Sequence, residues 1–290
     1  MPSATLRLLC CLCSQLSATH NTHEREIKSM LTFVGLGIYD EKDISLKGLE
    51  AVKQADLVFA EFYTSPLAGR RLERMEEIYG KKIIVLERKD LEEEAEDGIL
   101  KEAKDKNVVL LSAGDPMIAT THVDLMLRAM EMGIKTRVIH ASSIVSAVAG
   151  VCGLQIYKFG RSATVSPPFG STISEVPYET VLENRRRGLH TLLFLDVGMK
   201  ISEALELLEE VERRRERAGK EAGILKEVLF VGVARAGSET QVVKADYADA
   251  LKRFDFGEPP HVLVAVGELH FMEKEALVRL ASAPISSTPI

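Results

Sequence analysis

Short apolar runs alternate along the chain with longer stretches that have the polar pattern of exposed helices. In the first half, such runs predict strands at 31–35, 57–61, 83–87, 108–112 and 135–139, with helices between them at 45–54, 69–79, 91–106 and 121–131. Nearly continuous apolar strands separated by helices are typical of parallel strands joined by right-handed crossovers. Ser45 is predicted to cap the first helix and Gly133 to end the fourth.

The second half is less regular. It predicts strands at 162–166, 190–196, 227–234, 240–245 and 261–266, and helices at 143–152, 178–187, 201–218, 246–253 and 272–282. Five residues, 235–239, separate two of these strands, a connection short enough for a hairpin, so the second sheet is predicted to be mixed. We therefore predict an α/β fold with an N-terminal domain at 30–142, a C-terminal domain at 143–284 and a short tail at 285–290, with the ligand cleft between the two domains.

Two strand-to-helix turns are the clearest candidates for a binding site. Asp115 follows the strand at 108–112 within the turn Ala113-Gly114-Asp115-Pro116, and Gly35-Leu36-Gly37 follows the first strand. Open α/β sheets bind ligands at the carboxyl ends of their parallel strands. The two turns are therefore predicted to form one crevice, with Asp115 as an exposed acid.

Composition excludes several classes of protein. The chain has 290 residues, a net charge of −6 and no run near the roughly 18 apolar residues of a membrane span, so neither a general nucleic-acid binder nor a transmembrane protein is expected. Its four cysteines are Cys10, Cys11, Cys13 and Cys152, which is not a disulfide framework. We therefore expect a protein of the reducing cytoplasm.

Residues 1–29 differ from the rest of the chain. We expect a disordered or extraneous extension, because Met30 immediately precedes the first strand as a natural start would. A secretion signal is a weaker alternative, since no clear small-residue cleavage site follows the apolar stretch. Metal binding by the three front cysteines with His20 and His23 is another, but the paired spacing of structural zinc sites is lacking.

Several catalytic motifs are missing. Asp40 occupies the third glycine position of a dinucleotide-binding fingerprint, and the chain has no P-loop, nucleophile elbow or H-E-x-x-H helix. Seven histidines are scattered, and His261 is the best candidate for a role in the cleft because Pro259-Pro260 fixes the entry to its strand. Charge runs indicate solvated helix faces, with Glu209/Arg213 and Glu210/Arg214 as expected i, i+4 pairs.

An ordered set of motifs resembles the archaeal-type diphthine synthases, within the tetrapyrrole-methylase-like class of S-adenosylmethionine-dependent methyltransferases. The motifs are Gly35-Leu36-Gly37-Ile38-Tyr39-Asp40, Ala60-Glu61-Phe62-Tyr63-Thr64-Ser65, Gly114-Asp115-Pro116-Met117-Ile118-Ala119-Thr120-Thr121-His122, Tyr157-Lys158-Phe159-Gly160, Gly188-Leu189-His190-Thr191-Leu192-Leu193-Phe194-Leu195-Asp196, Ala234-Arg235-Ala236-Gly237-Ser238 and Pro259-Pro260-His261. Gly-Asp-Pro alone is weak, whereas the ordered set is specific. The resemblance covers residues 30–284.

The resemblance implies a function. Such enzymes use S-adenosylmethionine to methylate the amino group of a modified histidine, 3-amino-3-carboxypropyl-histidine, on translation elongation factor 2, which gives diphthine in diphthamide biosynthesis. It further implies a homodimer. We also expect no metal, and no direct contact with nucleic acid or membrane. Two alternatives stay open: a tetrapyrrole methyltransferase acting on a corrin precursor, and a non-catalytic donor-binding protein. No catalytic residue is assigned, and the number of methyl groups is left open.

The resemblance also implies a set of donor-binding positions. They are Ile38, Asp115, Ile118, Ser143, Ile144, Leu195, Ala236 and His261. The four aliphatic side chains offer an apolar bed for adenine, and Asp115 can accept hydrogen bonds from a ribose or amino group. We expect Asp115 to bind the donor rather than to abstract a proton. Ala234, two residues earlier, is the alternative to Ala236.

Overall fold

The computed structural model describes residues 29–64, 69 and 71–286, and contains two five-stranded sheets. The front extension with its cysteines lies almost wholly outside the described residues. The first sheet is entirely parallel, in the order β3-β2-β4-β1-β5. Its strands are β1 Met30–Gly35, β2 Leu57–Glu61, β3 Ile84–Leu86, β4 Asn107–Ser112 and β5 Lys135–Ile139. All five lie where the apolar runs predict them.

The helices of this half are α1 Leu46–Gln54, α2 Leu72–Tyr79, α3 Arg88–Glu92, α4 Ile99–Ala103 and α5 His122–Glu131. The predicted cap is confirmed, because Oγ of Ser45 accepts a hydrogen bond from the backbone N of Gly48 at 3.0 Å. The predicted helix end is also confirmed, since Gly133 follows α5 with φ +76°.

The single helix predicted at 91–106 is wrong. Two short helices, α3 and α4, stand there instead, separated by a turn over residues 93–98. A continuous helix would place Glu92 beside Glu96 and Glu93 beside Asp97, and like charges four residues apart destabilise a helix. Gly98 adds a further cost in a helix interior. The apolar periodicity alone does not reveal these local energetic costs.

The second sheet is mixed, as predicted. Its order is β6-β7-β10-β8-β9, where β6 pairs with β7 in parallel and the other pairs are antiparallel. The strands are β6 Ala163–Val165, β7 Thr191–Leu195, β8 Leu229–Ala234, β9 Val242–Tyr247 and β10 His261–Ala265. The helices are α6 Ile144–Cys152, α7 Val176–Arg185, α8 Ile201–Arg217, α9 Ile224–Glu227, α10 Ala248–Arg253 and α11 Phe271–Ala281. The predicted β8–β9 hairpin is confirmed, whereas α9 and a 3₁₀ turn at Ile156–Lys158 were not predicted.

Each sheet is covered on both faces. In β4, Val109 and Leu111 pack into one apolar cluster, and Val108 and Leu110 pack into another on the opposite face. Because successive side chains of a strand point to opposite faces, burial of both explains the continuous apolar runs. Across the described residues, no helix is long and apolar enough to cross a membrane.

One of the two predicted ion pairs on α8 is confirmed. Arg214 Nε lies 2.8 Å from Glu210 Oε1. The other pair is wrong: Arg213 also binds Glu210, at 3.0 Å, and Glu209 binds Lys252 of α10 instead. Packing of α10 against α8 turns Glu209 away from its own helix, which a one-helix pattern cannot reveal.

Two glycines, one in α6 and one directly after it, give a test of packing. Gly153 follows the helix with φ +71°, and a Cβ there would lie 2.5 Å from Cβ of Ala276 in α11. Gly150, inside the helix, has open space around the same position. We expect Gly153→Ala to lower the free energy of unfolding by about 1–3 kcal/mol, and Gly150→Ala to raise it by about 0.5–1 kcal/mol. Urea denaturation measures both, and equal effects would contradict this packing.

Candidate ligand-binding site

A cavity of about 280 Å³ lies where the carboxyl ends of the first sheet meet the second sheet. Its apolar wall includes Ile38, Ile118, Ile144 and Leu195, and its polar groups include Thr64, Thr120 and Asp196. All eight positions implied by the family resemblance line it: Ile38, Asp115, Ile118, Ser143, Ile144, Leu195, Ala236 and His261. Ala234 is packed in the core of the second sheet instead.

The two glycine turns meet in this cavity. The backbone N of Gly37 donates to the O of Gly114 at 3.2 Å, and the N of Gly114 donates to the O of Gly37 at 2.7 Å. Both residues have positive φ, +84° and +69°, and a Cβ on Gly37 would lie 2.3 Å from Cβ of Asp43. Glycine is therefore required at Gly37 for the turn to take this shape. The predicted single crevice is formed by this contact.

Asp115 is buried, so the expectation of an exposed acid is wrong. Its Oδ1 accepts from the backbone N of Met117 at 2.9 Å, and its Oδ2 accepts from the backbone N of Ala141 at 3.1 Å. Nδ1 of His140 lies 2.8 Å from the same Oδ2. The carboxylate therefore ties the turn after β4 to the chain after β5. Sequence reasoning missed His140, although its place directly after β5, at the same sheet edge, was a usable signal.

The C-terminal wall is organised around His261. Its Nδ1 accepts from the backbone N of Ile201 at 3.3 Å, so the proton of the neutral ring is on Nε2, which is buried and has no partner. Burial, together with the positive charge of Arg235, lowers the pKa of His261. Arg235 also donates to the carbonyl oxygens of Phe256 at 2.8 Å and Glu258 at 2.6 Å, which fixes the segment before His261.

Ser143 supplies a second unpartnered polar atom. It caps α6, and its Oγ is buried without a hydrogen-bond partner, while its backbone N donates to Oγ of Ser146 at 3.3 Å. Buried polar atoms are rarely left unpaired, so a hydroxyl in this position suits a polar group of a ligand. Among the described residues, no cluster of three or more metal-ligating side chains is present. The aliphatic wall and the few polar atoms suit a largely apolar organic ligand held by a few polar contacts.

Comparisons with known proteins identify relatives over most of the chain. The family profile of Tetrapyrrole (Corrin/Porphyrin) Methylases matches residues 30–243. Diphthine synthase of Methanosarcina acetivorans is 56% identical over 265 residues, covering 88% of this chain and 97% of the relative. Diphthine synthase of Methanosarcina barkeri is 53% identical over 266 residues, with the same coverages. A crystal structure of diphthine synthase matches with a TM-score of 0.80 and 48% identity, over 88% of this chain and 97% of that one.

Proposed function

This chain belongs to the tetrapyrrole (corrin/porphyrin) methylase family, and within it to the diphthine synthases, and from that premise we propose that its cavity binds S-adenosylmethionine for methyl transfer in diphthamide biosynthesis. The observation that carries the proposal is the convergence of the eight family positions on one cavity.

The residues present fit this donor. We propose that the aliphatic side chains Ile38, Ile118 and Ile144 hold adenine, and that Oγ of Ser143 and the backbone around Asp115 bind its polar groups. When bound, the donor supplies an electrophilic methyl group on sulfur. The protein must then hold an unprotonated amine in line with that methyl and keep water out, which accounts for a large part of the acceleration in such reactions.

We propose the amino group of the modified histidine on elongation factor 2 as the acceptor, in the cytoplasm, and a homodimer as the working assembly. The diphthine synthase relatives support the acceptor, and the cysteine content supports a reducing compartment. The domain boundary near residues 142 and 143 also remains a prediction, supported by the change from one sheet to the other at that point.

Mass spectrometry tests the activity. Purified elongation factor 2 that carries the 3-amino-3-carboxypropyl-histidine precursor is incubated with the protein and S-adenosylmethionine. We expect its mass to rise in whole methyl steps, and the number of steps gives the number of methyl groups added. An unchanged mass, together with measured donor binding, would indicate a non-catalytic donor-binding protein. Methylation of a precorrin, with no mass gain on the factor, would indicate a tetrapyrrole methyltransferase.

Ser143 gives a prediction about affinity. Ser143 is the N-cap residue of α6, but its Oγ has no hydrogen-bond partner within the described residues, so we expect Ser143→Ala to lower the free energy of unfolding by no more than about 1 kcal/mol. The same change removes one hydrogen bond to the donor and is expected to weaken donor binding by about tenfold. Isothermal titration calorimetry with S-adenosylmethionine measures the affinity. Ser146→Ala, which alters the same helix end, is the control and should affect stability instead.

A further inference from the structure

A buried glutamate lies directly behind the cavity wall. Glu61 ends β2, is fully buried, and pairs in register with Ser112 at the end of β4. Its Oε1 accepts from Oγ of Ser112 at 2.6 Å and from Oγ1 of Thr64 at 2.7 Å, and its Oε2 accepts from the backbone N of Thr64 at 3.2 Å. Thr64 itself lines the cavity. One hydroxyl group therefore separates this carboxylate from the ligand space.

His122, the first residue of α5, faces the same carboxylate. Its Nδ1 lies 2.9 Å from the carbonyl O of Pro116, and since a carbonyl oxygen only accepts, this nitrogen carries a proton. Its Nε2 is buried, has no hydrogen-bond partner and lies 3.6 Å from Oε1 of Glu61. In a neutral ring, that nitrogen presents a lone pair to the carboxylate. Adding one proton to the pair turns a repulsive contact into an attractive one.

The proposed reaction needs such a place for a proton. An aliphatic amine is largely protonated at neutral pH, and its nitrogen must lose a proton before the lone pair can attack. Among the described residues that line the cavity, the titratable side chains are Asp115, Asp196 and His261. The two oxygens of Asp115 accept from backbone N–H groups, and so does the accepting nitrogen of His261; a backbone N–H cannot pass a proton on, whereas the Thr64 hydroxyl that binds Glu61 can. Asp196 is exposed to solvent.

We propose that Glu61 and His122 take up the amine proton through the hydroxyl of Thr64, an inference that rests on the proposed function. The amine proton moves to Oγ1 of Thr64 while the hydroxyl proton moves to Oε1 of Glu61 and on to Nε2 of His122. The freed nitrogen lone pair forms the N–C bond as the C–S bond breaks, and that electron pair stays on sulfur. After the product leaves, the proton returns to water through Thr64.

In this scheme Thr64 touches the substrate, and Glu61 and His122 are positioning residues that act through it. Among the described residues, Tyr63, Arg88 and Glu92 are further titratable groups on this side. Burial, with the charges of Glu61 and Glu92, raises the pKa of Tyr63, so its phenol stays protonated. Arg88 lies over the Tyr63 ring at 5.3 Å.

The pH dependence of methyl transfer tests this proton relay, the path from the amine through Thr64 to Glu61 and His122. Glu61→Gln is expected to lower kcat about 100-fold at pH 7, the range that a positioned base contributes. At about pH 9.5 a far larger fraction of the amine is unprotonated in water than at pH 7, so the loss should shrink to less than about tenfold. Donor affinity should be unchanged, because Glu61 does not line the cavity. A loss of the same size at every pH would mean that Glu61 only supports the turn, and would overturn the proposal.

Variants of Thr64 distinguish a role in proton transfer from a role in folding. Thr64→Val removes the hydroxyl but keeps the shape and the backbone contact to Glu61, and should reproduce the pH-dependent loss. Thr64→Ser restores the hydroxyl and should restore most of kcat. Asp196→Asn tests the exposed acid as the rival base. If Asp196→Asn gives the pH-dependent loss and Thr64→Val does not, the relay is wrong.

Nitrogen-15 NMR gives a readout that needs neither donor nor acceptor. His122 is expected to carry its proton on Nδ1. His190 and His261 accept backbone hydrogen bonds at Nδ1 and should carry theirs on Nε2, so they serve as internal controls. A proton already on Nε2 of His122 at neutral pH would leave that nitrogen unable to accept the amine proton, and would overturn the proposal. If the wild-type protein transfers no methyl group at all, the proposed function itself fails. An active wild type with a pH-independent Glu61→Gln defect refutes the relay alone.

Discussion

Glu273→Ala is expected to lower the free energy of unfolding by about 3–5 kcal/mol, the cost of removing one partner from a buried ion pair. Glu273 is fully buried at the start of α11. Its Oε1 accepts from Nε2 of His190 at 3.0 Å and from the backbone N of Gln155 at 2.9 Å, and its Oε2 accepts from Nζ of Lys158 at 2.7 Å and the backbone N of His270 at 2.9 Å. The alanine variant removes the acceptor of Nε2 of His190 and of the backbone N–H groups of Gln155 and His270, whereas Lys158 keeps a bond to the carbonyl O of Glu268.

Urea denaturation measures this loss, and the same helix supplies a control. Glu275 binds Arg279 four residues on, at 2.6 Å, on the exposed side of α11. Exposed pairs of this kind contribute little, so Glu275→Ala should change the free energy of unfolding by less than about 0.5 kcal/mol. Similar losses for the two variants would contradict the role of Glu273 as a buried acceptor of several hydrogen bonds.

The hydrogen bonds of Glu273 also make the stability of the protein depend on pH in the acid range. Although burial opposes ionisation, hydrogen bonds from Lys158, Gln155 and His270 lower the pKa of Glu273 to about 2. A carboxyl whose pKa falls on folding stabilises the protein above its unfolded value, near 4.5, and this contribution is lost as pH falls toward 2. Burial also lowers the pKa of His190, so stability already declines below about pH 6.5. In Glu273→Ala, the decline between pH 4.5 and 2 should be smaller.

Asp115→Ala is expected to reduce the affinity for S-adenosylmethionine at least about 100-fold. Without the carboxylate, the backbone N–H groups of Met117 and Ala141 lose their acceptor, and each such buried loss costs about 1–3 kcal/mol. The turn that forms one wall of the cavity then loses its tie to the chain after β5. Isothermal titration calorimetry measures the affinity, and Asp124→Ala, an exposed acid on α5, should leave it unchanged.

Asp115→Asn distinguishes binding from proton transfer. The amide keeps one oxygen but places an NH₂ group against one of the two backbone N–H donors, so we expect an intermediate loss of affinity. If Asp115→Asn kept full donor affinity and lost only turnover, Asp115 would be acting as a base rather than as part of the binding site. That result would also compete with the Thr64 relay.

Much of the fold follows from local patterns. The five parallel strands and the β8–β9 hairpin follow from apolar runs and short connections, because strands buried on both faces leave a strong signal. The helix predicted at 91–106 failed because periodicity does not weigh repulsion between neighbouring acids. The Glu209–Lys252 contact joins two helices, and no pattern within one helix contains that information.

The candidate site was likewise predicted only in part from the sequence. The eight donor-binding positions came from a family resemblance, and the structure brings them to one cavity, while their roles remain predictions. Burial of Asp115 was missed because its partners lie on another loop, 25 and 26 residues further along the chain. The contact between His122 and Glu61 spans two elements of the first sheet domain, so spacing in the sequence does not indicate it.

The reciprocal bonds between Gly37 and Gly114 constrain how a ligand enters. Since each amide is held by the other residue's carbonyl, the two turns cannot separate without breaking both bonds at once. Access must then come from elsewhere, past the exposed residues Ile118, Asp196 and Val197 that also line the cavity. The amide hydrogens of Gly37 and Gly114 should exchange with deuterated solvent at one common rate, because the two bonds open together.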